Sequence, residues 1–362
     1  MKDFFKSIVV VELATVLAGP SVGMFLAEMG CKVIRFEPPQ GDVTRTWKSK
    51  TEFVNKNVSA YYASVNCGKE IRTLDLNTKE GKKELSKALE KADILLENFR
   101  SDVQSKFELD QETTSEKYPH LIHAHLKGFE IAEDRVAYDV IIQAESGFMS
   151  INGEKNSTPL KMPVALMDVL AAHQLKEGIL SALLSRSKSG IGGYLEASLE
   201  MSGILSLVNQ ASTYLNHDKT PKAIGSLHPN IAPYGEVFTC LDGEQVVLAI
   251  GSDQQFSEMC VLLGDEKIAI NSKFKSNSLR LKNRDELGAL LKDLFLKRNS
   301  EVVLSASRKQ NIPIGAIKTI DQVLRQVHVQ DFVIENEEAG ERLKRLKSVA
   351  FTYSPSSGRA TL

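Results

Sequence analysis

An aspartate that could act as a covalent nucleophile stands just before a long segment of helical periodicity. Asp168 follows PVALM and precedes VLAAHQLKEGILSALLSR. A carboxylate at such a position can be an N-cap that accepts hydrogen bonds from backbone N–H groups. It can also be held ionised by the positive end of the helix and serve as a nucleophile. The spacing alone does not separate these two hypotheses.

Amide and cationic side chains occur near the ends of strands predicted in the first half of the chain. Asn66 and Lys69 come just before IRTLDL (71–76), and ENFR places Asn98 and Phe99 at the end of DILLEN (93–98). Lys106 follows one or two helical turns later. Ligands of open α/β sheets bind at the carboxyl ends of strands, and a phosphorylated nucleotide would use these residue types. Taken singly, each is more typical of a solvent-exposed charge.

The elements that would position these residues alternate between strands and helices. Three further strands are predicted at IVVVEL (8–13), KVIRFE (32–37) and LIHAHL (121–126). This rhythm predicts an α/β fold, with a doubly wound, mostly parallel, Rossmann-like sheet covered by helices on both faces. The first strand–helix unit has only Gly19 and Gly23 in place of the G-x-G-x-x-G fingerprint. This departure disfavours a nicotinamide-dependent oxidoreductase, and a tight packing corner is the alternative interpretation.

The predicted large domain comprises residues 1–216 and 330–362, and residues 217–329 form a linker and a smaller α+β domain. The linker is rich in turn residues, and VFTCLDGEQVVLAIG after it predicts a hairpin with Asp242 and Gly243 at the turn. The segment RLKSVAFTYS predicts one more strand, returning to the first domain. Asn77 with Glu80 predicts a capping box for the helix EGKKELSKALEKA.

Composition disfavours several classes of partner. With 45 basic and 46 acidic residues the formal net charge is −1. Such a balance gives no overall electrostatic field that would attract nucleic acid or an anionic membrane. No apolar run approaches the roughly 18–20 residues of a membrane span, and MKDFFKSIVVVEL is not typical of a signal peptide. The four cysteines are scattered, which indicates a reducing, cytoplasmic location. The histidines of PHLIHAH have no acid or cysteine at ligand spacing, so no metal is predicted.

Six segments, in this order, resemble those of the class III CoA-transferases of the CaiB/BaiF type. They are ELATVLAGPSVGMFLAEMGCKVIRFEPPQGDVTR, NCGK, ENFR, AYDVIIQAESGFMSINGE, PVALMDVLAAHQLKEGILSAL and GSLHPNIAPYGEVFTCLDG. The resemblance covers roughly residues 1–250 and extends more loosely beyond. It implies a large domain built from both chain ends, a smaller inserted domain, and an interlocked homodimer.

The resemblance also implies a reaction and its residues. CoA would move from an acyl-CoA donor to a carboxylic acid acceptor, with Asp168 as the catalytic nucleophile and a covalent aspartyl intermediate. Coenzyme A is then substrate and product, and no metal or redox cofactor is implied. The residues implied to contact CoA are Leu17 and Ala18 through their backbone, Asn66, Lys69, Asn98, Phe99, Lys106, Arg135 and Tyr138.

Two alternatives lie within the same superfamily. The α-methylacyl-CoA racemases pair the aspartate with a histidine in a G-H-D stretch, and here RVAYD has Tyr138 at that place. A phenol of pKa about 10 is a poor proton acceptor compared with an imidazole of pKa about 6.5, which favours transfer over racemisation. The other alternative, a non-catalytic relative, predicts CoA binding without an adduct on Asp168.

Overall fold

The computed structural model describes residues 5–52, 58–131, 135–338 and 340–354. The first four residues of the N-terminal stretch, and residues 355–362 of the predicted large domain, lie outside this part of the chain. Within the described ranges, no helix is long and apolar enough to cross a membrane.

The main sheet has six strands, and every neighbouring pair is parallel. Its strands are β1 Val9–Glu12, β2 Lys32–Glu37, β3 Glu70–Thr73, β4 Ile94–Glu97, β5 Ile122–Lys127 and β6 Gly193–Ser198. The order across the sheet is β3-β2-β1-β4-β5-β6, so the direction of winding reverses between β1 and β4. The predicted doubly wound α/β fold is confirmed. The third strand is shorter than predicted, since it ends at Thr73.

Helices connect these strands and continue beyond the sixth. They are α1 Ala18–Met29, α2 Ala60–Asn66, α3 Lys79–Leu89, α4 Ser101–Lys106, α5 Gln111–Lys117, α6 Asp139–Glu145, α7 Phe148–Ile151, α8 Leu166–Ser189, α9 Leu199–Leu205 and α10 Val208–His217, with a 3₁₀ turn at Val43–Thr46. Helix α3 is capped by the Thr78 hydroxyl, which accepts from the Gly81 N–H, so the predicted capping by Asn77 is wrong.

Neighbouring residues of the central strands serve two different cores. Val10 packs with α1 and α8 on one face of the sheet, whereas Val11 packs with α3 on the other. Because successive side chains of a strand point to opposite faces, a strand covered on both sides must be apolar throughout. This is why the uninterrupted run IVVV forms a central strand.

Contacts divide the chain into two compact units: Met1–Met149, Lys161–Thr220 and Val327–Leu362 in the first, and Ser150–Leu160 and Pro221–Gln326 in the second. The segment Ser150–Leu160, assigned to the large domain from sequence, groups with the second unit here. The predicted domain boundaries themselves stay a prediction.

The second unit contains an antiparallel sheet in the order β7-β8-β9 and several helices around an apolar core. Its elements are β7 Tyr234–Thr239, β8 Gln245–Ala249, α11 Asp253–Leu262, α12 Lys267–Ile270, α13 Asn277–Lys282, α14 Arg284–Phe295, α15 Ser300–Lys309, β9 Ile314–Ala316 and α16 Ile320–Leu324. The predicted hairpin joins β7 to β8, and Gly243 takes a φ of 82° at its turn.

The first unit ends with a short helix and a hairpin: α17 Val327–Gln330, β10 Val333–Glu338 and β11 Glu341–Leu346. Leu343 of β11 packs against α2, beside Tyr62 and Cys67. The Glu28 carboxylate accepts the backbone N–H groups of Ser348 and Val349 at 2.8–3.1 Å. The strand predicted within RLKSVAFTYS (345–354) is therefore wrong. Strand β11 ends at Leu346, and residues 347–354 form no strand, because the N–H groups of Ser348 and Val349 bond to Glu28 and not to a neighbouring strand. Strand β11 pairs with β10, apart from the main sheet.

Candidate active site

Asp168 is the third residue of α8, a helix of 24 residues that begins at Leu166. The N-cap is Ala165, so the hypothesis that Asp168 caps the helix is wrong. Its side chain is 8% exposed, and its carboxylate accepts no hydrogen bond from any residue that the structure describes. The N–H of Met167 is instead accepted at 2.7 Å by Oδ1 of Asp139, from the first turn of α6.

Two acids therefore meet at the start of α8. Burial, and secondarily the charge of Asp139, raise the pKa of Asp168 from its ordinary 3.8 to about 7. A helix N-terminus favours the ionised form by only about 0.3–1 kcal/mol, whereas this shift corresponds to about 4 kcal/mol. The effects of burial and of the nearby like charge on the pKa of Asp168 are thus larger than the opposing effect of the helix N-terminus. Near neutral pH the carboxyl exchanges between its acid and a basic carboxylate.

An aromatic pair lies within electrostatic range of these acids. Burial, followed by the charges of Asp168, Asp139 and Asp42, raises the pKa of Tyr61 to about 12, so its phenol stays protonated. The Trp47 ring meets the Tyr61 ring edge-on, with 5.2 Å between centroids.

The turn between β1 and α1 carries Leu17 and Ala18. Leu17 is the N-cap of α1 and has no side-chain cap, so its helix start is held by backbone geometry. Asn98, at the end of β4, bonds this turn twice: its Oδ1 accepts from the Thr15 N–H at 3.0 Å, and its Nδ2 donates to the Thr15 carbonyl at 3.2 Å. The Asn98 amide is thus engaged with the protein's own backbone.

Phe99 lines a cleft of about 400 Å³ at the strand ends, which we call the proline cleft. Its lining residues include Thr15, Pro38, Pro39, Leu74, Asp75, Asn77, Phe99 and Phe107. Lys106 is exposed and donates from Nζ to Oδ1 of Asn77 at 2.7 Å, which puts an ammonium at the rim. The cleft thus combines apolar walls with polar groups at one edge.

Arg135 lines a second cleft of about 470 Å³, which we call the arginine cleft; Asn98, Phe99, Arg100, Ser101, Lys127, Val136 and Ala137 line it too. The Arg135 guanidinium lies 4.3 Å from the ring centroid of Phe129 and pairs with Glu145. Tyr138 is half-exposed and is the N-cap of α6. The next residue is Asp139, so the segment 135–139 leads from this cleft to the start of α8.

Asn66 and Lys69 are placed differently from the other predicted ligand contacts. The Lys69 ammonium has no exposed surface, and it donates to both Glu12 oxygens, the Pro20 carbonyl and Oδ1 of Asn66 at 2.8–3.2 Å. Asn66 is fully buried and donates to the Tyr62 carbonyl. CoA contacts by these two side chains stay a prediction, and the function proposed below does not use them.

Lys69 belongs to a buried network of three acids and three cations at the ends of β1 and β2. The charged pairs are Lys69–Glu12, Arg35–Glu12, Arg35–Glu37, Arg35–Asp42 and Arg45–Glu37. Gly23 of α1 leaves room for it, since a Cβ there would lie 1.7 Å from Oε2 of Glu12. The network fixes the strand ends from which the clefts are built.

Two of the three histidines considered as metal ligands, His123 and His125, have hydrogen-bond partners within the protein. His123 lies 3.0 Å from both Thr114 Oγ1 and Glu97 Oε1, and His125 lies 3.0 Å from the Phe99 carbonyl. Among the residues the structure describes, no group of three or more His, Cys, Asp or Glu is arranged to hold a metal ion.

Asp139, Asp42 and Tyr61 were not identified from sequence. Asp139 had a signal, because it follows Tyr138 in a segment already considered for proton transfer. Asp42 also had one, since it follows a strand and Gly41 and precedes Thr44, a pattern typical of a side-chain cap. Tyr61 lies in a short helix with nothing in its spacing to single it out.

The family model for CoA-transferase family III matches this chain over residues 5–361. The chain belongs to that family. The succinate–glutarate CoA-transferase of Agrobacterium fabrum is 36% identical to this CoA-transferase over 338 residues, which are 91% of this chain and 84% of that protein. The human succinyl-CoA:glutarate CoA-transferase is 31% identical over 328 residues, 90% of this chain and 74% of that one.

A solved structure shares the fold of this CoA-transferase. The crystal structure of a CaiB/BaiF family protein from Brucella suis superposes with a TM-score of 0.84 at 33% identity, covering 97% of this chain and 92% of that one. The resemblance stated from sequence is confirmed. The enzyme transfers CoA between an acyl-CoA and a carboxylic acid.

Proposed function

We propose that the enzyme transfers CoA through covalent intermediates on Asp168. The observation that carries this proposal is a buried carboxylate with no hydrogen-bond donor among the described residues and a pKa near 7. Burying a carboxylate destabilises the fold, and among the described residues no hydrogen-bond donor offsets that cost for Asp168. Such a group in an enzyme is a candidate for chemistry.

Each proposed step exchanges one acyl bond for another. The Asp168 carboxylate attacks the donor thioester, the C–S bond breaks, and a mixed anhydride and CoA thiolate form. The thiolate attacks the aspartyl carbonyl, releasing the donor carboxylate and leaving an aspartyl-CoA thioester. The acceptor carboxylate attacks that thioester to give a second anhydride and free thiolate. The thiolate then attacks the acceptor's acyl carbonyl, releasing the new acyl-CoA and restoring Asp168.

The raised pKa of Asp168 suits this series of reaction steps. A carboxylate that has lost solvation is a stronger nucleophile than one stabilised by hydrogen bonds, and formation of the anhydride or the thioester removes its charge from the low-dielectric site. The anhydride and thioester forms of Asp168 are neutral, so the repulsion from Asp139 is relieved when they form.

We place acyl-CoA along the two clefts at the strand ends. The proline cleft offers Phe99 and prolines for a flat adenine, with Lys106 at its rim for a phosphate. Thr15, two residues before Leu17, lines the proline cleft, and Asn98, which bonds Thr15, lines the arginine cleft. The arginine cleft leads through residues 135–138 towards Asp139 and the start of α8. This path would bring the thioester towards Asp168.

The acids exchanged are proposed to be short dicarboxylates, because the relatives from Agrobacterium and human carry succinate and glutarate in their names. We also propose an interlocked homodimer. Leu184, Leu205, Val208 and Leu215 of the first unit are each more than 60% exposed, and a second chain that covered them would remove this apolar surface from water. Light scattering is expected to give twice the chain mass of 40.0 kDa.

The test is intact-mass analysis after mixing the enzyme with succinyl-CoA, glutaryl-CoA and a panel of other acyl-CoAs, with hydroxylamine trapping and peptide mapping. The adduct is expected on Asp168, and Asp168→Ala is expected to abolish both the adduct and turnover while CoA still binds. The control is Asp285→Ala, which removes an exposed first-turn aspartate of α14 in the second unit. An adduct at another residue, or normal turnover by Asp168→Ala, would refute the nucleophile. CoA binding without any adduct would favour the racemase or the non-catalytic alternative.

A further inference from the structure

The turn from β1 to α1 contains a strained residue. Val16 has a φ of 70°, in the left-handed region that favours glycine. A β-branched side chain is especially unfavourable there, because its Cβ crowds the backbone carbonyls. Such a conformation persists only where the surrounding structure holds it in place.

The surroundings of Val16 hold this turn by its peptide groups. Asp42 Oδ2 accepts the Val16 N–H at 3.2 Å. Asn98 bonds both backbone polar groups of Thr15, the residue before Val16. Its Oδ1 accepts from the Thr15 N–H at 3.0 Å, and its Nδ2 donates to the Thr15 carbonyl at 3.2 Å. We call Asn98 and Asp42 the turn clamp. It links the segment after β1 to residues that follow β2 and β4.

The clamp is itself fixed. The Asp42 side chain is completely buried, and its other oxygen accepts from the Thr44 N–H at 2.8 Å and hydroxyl at 2.6 Å. Arg35, which pairs with Asp42, also donates to the Ala14 carbonyl at 2.6 Å. Four consecutive backbone polar groups are thus held by side chains from outside the turn. They are the Ala14 carbonyl, the Thr15 N–H and carbonyl, and the Val16 N–H. The strain at Val16 is therefore imposed by tertiary contacts.

The turn lies at the candidate binding surface. Thr15 lines the proline cleft and Asn98 lines the arginine cleft, so the clamp stands between them. Directly after the strained residue come Leu17 and Ala18, whose backbone is part of the proposed CoA path.

We propose that Asn98 and Asp42 are positioning residues, which hold the turn so that the Leu17–Ala18 backbone can bind acyl-CoA. This inference rests on the function proposed above. Asn98 then acts through the turn, and its effect on the ligand is indirect. The clamp is needed only because Val16 resists the required φ. A glycine at position 16 takes a positive φ without steric cost, so it makes the clamp largely dispensable.

The experiment measures the Kd for coenzyme A by calorimetry, and kcat and KM with succinyl-CoA and glutarate, for the wild type, Asn98→Ala, Val16→Gly and the double variant. Asn98→Ala is expected to raise Kd and KM about tenfold, with kcat changed less than about threefold, because Thr15 loses two hydrogen bonds. Val16→Gly alone is expected to change Kd less than about threefold. In the double variant the Kd is expected to return to within about threefold of that of Val16→Gly. The control, Asn283→Ala, removes an asparagine that bridges the Lys273 and Leu279 carbonyls in the second unit, and should leave Kd and KM unchanged.

Direct contact between Asn98 and CoA predicts the opposite result, since glycine at position 16 could not restore a lost ligand contact. Failure of Val16→Gly to rescue Asn98→Ala, or an unchanged Kd for Asn98→Ala, overturns the clamp. If Asn98→Ala does not fold, Asn98→Asp replaces it; this variant keeps the acceptor for the Thr15 N–H, and its weakened binding must also be rescued by Val16→Gly. Wild-type enzyme that binds CoA without transferring it would refute only the proposed function, because the role of the turn clamp is tested by the Kd for coenzyme A. Absence of CoA binding would refute both.

Discussion

Replacing Asp168 with asparagine is expected to stabilise the protein increasingly as the pH rises. The folded-state pKa of about 7 lies above the ordinary value of 3.8, so the folded chain holds this proton more tightly than the unfolded chain. Below pH 3.8 the carboxyl of Asp168 is protonated in both the folded and the unfolded state, so it causes no loss of stability. Between 3.8 and about 7 the unfolded state ionises first, and stability falls as the pH rises. Above about 7 the full loss, about 4 kcal/mol, is present.

Asparagine has nearly the same size and cannot ionise. Its buried amide has its own desolvation cost of about 1–3 kcal/mol, but this cost does not change with pH. The quantity to follow is therefore the difference in unfolding free energy between Asp168→Asn and the wild type. From pH 4.5 to pH 8, integration of the linkage relation predicts that this difference shifts by about 3 kcal/mol in favour of the variant. Most of the shift is expected below pH 7.

Urea unfolding followed by tryptophan fluorescence suits this measurement. Trp47 is the single tryptophan of the chain, and it contacts Tyr61 within the first unit, so its emission reports that unit. Protein concentration must be held constant, because association adds to apparent stability. A difference that stays within about 0.5 kcal/mol across this pH range would show that the carboxyl of Asp168 is solvated or paired. The electrostatic argument for its role would then be wrong.

Two further perturbations test the surroundings of Asp168 and the buried network. Asp139→Asn keeps an oxygen for the Met167 N–H and removes the charge, so the acid limb of kcat/KM, expected near pH 7 in the wild type, should move to lower pH; an unmoved limb would exclude Asp139 as a cause. Gly23→Ala should lower unfolding free energy by about 3 kcal/mol in urea, because its Cβ would displace Glu12 from Lys69. Gly288→Ala, in open space within α14, should instead stabilise by about 0.5–1 kcal/mol, as followed by circular dichroism; equal effects of the two glycine variants would contradict the packing argument.

The features that sequence predicts well in this chain are those fixed by neighbouring residues. The run IVVV forms a strand because both faces of the sheet are covered. Asp242 and Gly243 form the hairpin turn, where Gly243 takes a φ of 82°. The predicted parallel sheet follows from the alternation of such strands with helices.

The start of α8 shows what local rules miss. A polar residue before an apolar helical segment is normally a cap, and this is one of the two hypotheses that the spacing leaves open for Asp168. The N–H of Met167 is satisfied instead by Asp139, which lies 28 residues earlier in the chain. With this acceptor supplied from another helix, α8 can begin earlier, among apolar residues. Asp168 then falls inside the first turn with no structural hydrogen bond to make, which leaves its carboxylate available for reaction.

Lys69 illustrates the opposite limit. The rule that strand ends bind ligands selects one edge of the sheet, but it does not tell whether a cation there faces a ligand or a buried acid. The sequence contained a clue, because Glu12, Arg35 and Glu37 interrupt strands that are otherwise apolar and buried. Charges in such strands must be paired, and a nearby lysine is an available partner. Lys69 completes that pairing, so Lys106, an exposed cation bonded to Asn77 of the proline cleft, is the better candidate for a phosphate of CoA.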